Sequence, residues 1–266
     1  KTGDTASGRE MGRPRLLAMT ALGTTTLLVV DDNGALWRWI QYNDKADGTL
    51  SFRRVGGDSV WGEDVRDINT LAQTSQGTYN VYVLDPDVDQ ILKYAPTLDG
   101  NRFDAPSNYL ATKDESVADY LKLFIDGNLY TLTGDNVVKH SAGRKVDWRL
   151  DDPPDAGDLR PGHRYRLIDG TGPSARLFVY DEEWQRFLVF LKSDGSYVEQ
   201  WSSAGPQPSM EDVRGMYVSQ AGTSQSPKTP QVVWATPDGI YRSTLIQTTA
   251  DLSATPAPEP SPGADE

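Results

Sequence analysis

Two short segments repeat charged residues at matching places: Glu63-Asp64-Val65-Arg66 returns as Glu211-Asp212-Val213-Arg214, each just ahead of a new apolar stretch. A carboxylate and a guanidinium two residues apart admit two uses. Asp64, Arg66, Asp212 and Arg214 could line an opening and bind a ligand, or each Asp could pair with its Arg and fix the strand that follows, which recurrence at equivalent places favours. Trp61 and Trp184 stand beside acidic loop residues, where a flat ring next to carboxylates suits stacking on a sugar or contact with a protein. Together these six residues form the candidate ligand-binding set.

Catalysis has little to draw on. The chain has no Cys and two His, His140 and His163, neither with an evident partner, where a Ser-His-Asp triad or a histidine metal site needs more. No Gly-x-Ser-x-Gly, Walker A or Gly-x-Gly-x-x-Gly segment is present, so motif-borne hydrolase, nucleotide and dinucleotide chemistry is not expected. Asp85, Asp87 and Asp89 alternate and could offer oxygens to calcium, but the Gly and Glu of an EF-hand loop are missing and a solvated turn is the expected reading. No catalytic residue, metal ligand or cofactor is assigned. The remaining enzymatic route is a pair of carboxylates about 5 to 9.5 Å apart, as in a glycosidase, or a lactone-active enzyme.

The formal net charge is −12 and the pI near 4.6. That balance argues against nucleic acid, whose phosphates demand clustered Lys and Arg, and against anionic membrane surfaces. No run approaches the roughly 18 apolar residues a helical membrane span needs, and no stable membrane insertion is expected. The opening Lys1 to Arg13 lacks an apolar signal core. A chain that begins on Lys is read as a piece of a longer protein.

These side chains must be positioned by strands. Short runs rich in Val, Ile, Leu, Tyr, Phe and Trp alternate with turns of Gly, Asp, Asn and Pro, and the helical period is weak. The commonest unit is a strand, a tight acidic turn, then a second strand: Leu27 to Val30, Asp31-Asp32-Asn33-Gly34, then Leu36 to Trp39. It recurs at Tyr82 to Tyr94, Leu129 to His140, Leu177 to Phe190 and Val232 to Arg242, with the acids opening each turn (Asp31, Asp85, Asp135, Asp181, Asp238) 46 to 57 residues apart. Each unit has room for four strands; in the second they are expected at 65–71, 79–84, 90–94 and 103–110. The fold expected is all-β: a β-propeller of about five four-stranded blades, with six blades or an incomplete ring as alternatives.

The expected organisation is a flexible linker over 1–13, which could instead supply a closing strand, a propeller over 14–247, and a disordered tail over 248–266 rich in Pro, Ala and acids. Turns joining second to third strands share a rim with the segments between blades. That rim would gather 21 of the 38 acids, Asp58, Asp64, Glu115, Asp151 and Asp152 among them, with Lys113 and Arg160 as the clear bases. Such a field attracts cations and basic polymers, although good turn chemistry alone would put most of these acids there.

The pattern strand, acidic turn, then apolar-apolar-Lys/Arg-aromatic resembles the NHL and YWTD type of β-propeller over about 14–246. The resemblance implies an extracellular or cell-surface sensor module of a bacterial signalling protein, tethered by a membrane segment outside this sequence. The expected function is therefore a non-catalytic, monomeric binding module whose acidic face meets a basic protein, peptide or glycan. The alternatives are a carboxylate-based glycosidase or lactone-active enzyme, and a structural spacer.

Overall fold

The structure, a computed structural model, describes residues 5–6, 9–21, 25–40, 53–55, 61, 64–73, 77–97, 102–112, 115–153, 165–170, 176–203, 215–219, 222–223, 226–227, 231–236 and 239–247. Among these there is no α-helix, and antiparallel strands account for the architecture. The first sheet is Pro14–Ala21, Thr25–Asp31, Leu36–Ile40 and Arg53–Val55 in that spatial order. The second is Asp67–Gln73, Thr78–Asp85, Gln90–Tyr94 and Ser107–Asn108. The third is Lys122–Ile125, Asn128–Leu132, Val137–Ser141 and Arg144–Lys145, and the fourth Tyr165–Gly170, Arg176–Asp181, Arg186–Leu191 and Tyr197–Ser203. A fifth unit holds three strands, Gly215–Ser219, Gln231–Thr236 and Gly239–Gln247.

The middle strand of each unit reads as an unbroken apolar run because both its faces are buried. Val81 and Val83 join Leu16, Leu28 and Val30 of the first sheet, whereas their neighbours Tyr82 and Leu84 pack against Leu123 and Leu129 of the third. In the fourth sheet Leu177 and Val179 face Tyr130 and Leu132, while Phe178 and Tyr180 face Val218, Val232 and Trp234. Alternation thus sends successive side chains to opposite joints, so each joint between sheets is a separate core. A Leu or Phe moved from water into such a core contributes about 1.5–3 kcal/mol.

The first strands of the five units are neighbours in chain order, the arrangement of sheets set radially around an axis. Their inward edges are tied by side chains. Asp67 Oδ2 accepts the Leu123 N–H at 2.8 Å, and Asn69 Nδ2 donates to the Leu123 carbonyl at 3.2 Å. Thr70 Oγ1 reaches the Met19 carbonyl at 2.8 Å, and Asp169 Oδ2 accepts the Val218 N–H at 2.5 Å. At the outer side, the hairpin glycines Gly143 (φ 76) and Gly195 (φ 83) sit against the connectors from the preceding sheet. Ala111 N–H donates to the Gly143 carbonyl and Asp151 N–H to that of Gly195, and a Cβ on either glycine would strike the Tyr109 or Arg149 carbonyl.

The fifth unit departs from the pattern. Strand Tyr197–Ser203 pairs with Arg186–Leu191 through Phe187↔Trp201, and its last residues pair with the end of Gly239–Gln247 through Trp201↔Gln247, Ser202↔Ile246 and Ser203↔Leu245. One strand therefore serves two units and joins them into a seven-stranded sheet. At the N-terminus Arg9–Glu10 pairs with Thr5–Ala6, and Met11 packs on Val29 and Trp37 of the first sheet.

Candidate binding rim

Turns between second and third strands meet the segments that lead into the next sheet. Trp61 N–H donates to the Gly34 carbonyl, Tyr165 N–H to that of Gly134, and Val117 N–H to Asp89 Oδ1 at 2.8 Å. These ties hold three of the turns on a shared rim. Its acids divide into those consumed by the backbone and those left in solvent.

Asp31 is 1% exposed and accepts four hydrogen bonds, from the N–H groups of Gly12, Asn33 and Ala35 and from Trp37 Nε1 at 2.8 Å. A buried carboxylate so satisfied organises its turn and the ring beneath it. Asp181, fully buried, lies 3.5 Å from Arg186, whose Nη1 also donates to Gln200 Oε1 at 2.7 Å. Asp85 caps the short 3-10 turn Pro86–Val88 by accepting the Asp87 N–H, and Asp89 in left-handed backbone accepts from Val117 and Ser116. Two of the three alternating acids are thus engaged by the protein, and among the described residues no group of three or more His, Asp or Glu is placed to hold a metal.

Asp64 and Asp87 are exposed and adjoin one another. A hydrogen bond with Asp64 raises the Asp87 carboxyl above its ordinary value, helped by slight desolvation and by the negative charges of Asp64 and Asp85. Arg66 does not neutralise them: its guanidinium donates to the carbonyls of Ala118 and Tyr120, the latter at 3.0 Å. The Asp64–Arg66 pairing expected from sequence is replaced by an Asp–Asp contact and an Arg that anchors the 115–121 connector. Asp32, Asp135 and Glu183, in turns between second and third strands, are further exposed acids of this rim, whereas exposed Asp151 and Asp152 lie by the outer hairpin at Gly195.

The tryptophans part company. Trp61 is only 6% exposed, its ring centroid 5.3 Å from Tyr94 and 6.4 Å from Phe103, so it is core between the first two sheets rather than an exposed stacking ring. Half-buried Trp184 lies on the rim with the Arg186 guanidinium 4.4 Å over its ring, an intramolecular cation–π contact. Asp212, Arg214 and His163 lie outside the described residues, as do Asp58, Lys113 and Arg160.

His140, expected to lack a partner, has one. The ring is fully buried and its Nε2 lies 2.6 Å from Glu115 Oε1, the same oxygen that accepts the Tyr120 hydroxyl at 2.6 Å. Burial would raise the Glu115 carboxyl; the bonds from Tyr120 and His140, with the charges of His140 and Lys145, outweigh it and leave the group below its ordinary value. Burial first, and then Glu115, raise the Tyr120 phenol. The cluster pins the connector to the third sheet, and sequence reading missed it because His140 lies 25 residues beyond Glu115.

The two tying acids are perturbed as well. Burial pushes Asp169 up to about 7 against the Val218 and Gly170 amides and the Lys192 charge, and raises Asp67 despite Lys122, whose Nζ is 3.2 Å away. Both carboxyls are spent on main-chain N–H groups of the inner strands, which makes them scaffold.

No protein-family model matches the chain, and no curated protein matches it in sequence. Among solved structures it is similar to glutaminyl cyclase of Myxococcus xanthus, at 11% identity over 91% of this chain and 96% of that one with a TM-score of 0.50. It is also similar to a chain of BBS1N in complex with ARL6DN (8% identity, 89% and 82% covered, TM-score 0.48) and to one of a nidogen/laminin complex (16% identity, 72% and 64% covered, TM-score 0.44). The chain spans 64% of the length of that nidogen/laminin chain. With the radial order of four-stranded sheets, the first likeness gives the fold as a β-propeller.

Proposed function

We propose that this propeller is a non-catalytic binding module, working outside the cytoplasm, whose acidic rim meets a basic protein, peptide or glycan. One observation carries the reading: Asp64 and Asp87 are crowded at the surface while the Arg66 guanidinium, two residues from Asp64, is spent on carbonyls. Two like charges held together are relieved by a cation, so an incoming ammonium or guanidinium gains more here than at a lone carboxylate. The strongly perturbed buried acids, Asp67 and Asp169, hold strands and are not free to act on a substrate, which favours binding over chemistry.

The test is titration of the chain with an oligolysine peptide and with a glucosamine oligomer, followed by calorimetry at low and physiological salt. Binding that weakens with salt and falls about tenfold in Asp64→Asn/Asp87→Asn supports the rim as the site. Equal binding by the double variant sinks it.

A further inference from the structure

We draw no further inference here: the strongest candidate, the apolar face that Leu17 and Met19 expose on the first strand of the first sheet, carries nothing, because nothing in the structure shows what covers it.

Discussion

Asp67 and Leu123 are joined across the boundary between two sheets by a 2.8 Å hydrogen bond in which a carboxylate takes the place of a strand partner. The Leu123 N–H lies on the inner edge of its sheet, where among the described residues no further strand runs, and the side chain satisfies a donor that would otherwise be buried and unmet. Asp67→Ala should therefore cost about 1–3 kcal/mol in urea unfolding, whereas Asp119→Ala, at an exposed position, should stay within about 0.5 kcal/mol.

Asp31 poses the sharper test of whether rim acids are turn builders or ligand contacts. Asp31→Asn keeps the volume but sets an amide NH2 among four donors, and a loss of about 2 kcal/mol is expected by chemical denaturation. A fully folded, equally stable variant would return Asp31 to the pool of binding residues.

The pH dependence of stability should carry the mark of Asp169. Its folded value of about 7 lies above the ordinary 3.8, so the folded state holds the proton more tightly than the unfolded one. Its contribution is fully favourable below about pH 4, declines by up to about 1.4 kcal/mol per unit as pH rises toward 7, and is flat above. Asp169→Asn should flatten that part of the profile, measured as the difference in urea midpoint between wild type and variant from pH 4 to 8. Parallel profiles would show that Asp169 is ionised throughout, held so by the Val218 and Gly170 amides.

Trp61 and Trp184 should separate cleanly. Trp61→Ala opens a void among Tyr94, Phe103 and the first two sheets and should cost about 3–5 kcal/mol. Trp184→Ala forfeits a cation–π contact with Arg186 and should cost at most about 2 kcal/mol. Thermal melts of the two variants side by side read the difference.

Sequence reading found the strands because each middle strand is apolar on both faces and is punctuated by a turn acid. The second sheet, expected at 65–71, 79–84, 90–94 and 103–110, is observed at 67–73, 78–85, 90–94 and 107–108. Its last strand is short because Phe103 makes only an isolated bridge with Pro96. The ties between sheets were not legible, since a lone Asp67 or Asp169 in an apolar strand looks like a strand end until its partner's N–H is placed beside it. His140 with Glu115 failed to show for the same reason: contact depends on a connector folding back over a sheet. Trp61 misled because acidic neighbours in sequence suggested solvent, while its ring turns inward.

The strand Tyr197–Ser203 has a consequence for how this chain can vary. Repeats that own all four of their strands can be duplicated or lost as modules, each leaving behind a complete neighbour. The fifth unit is not separable in that way, because its strand Gly239–Gln247 is paired by Trp201–Ser203 of the fourth, and a cut between the two units strips that pairing away. The two should therefore melt as one piece, so that pulling on the C-terminal strand loads the fourth sheet before the fifth has let go.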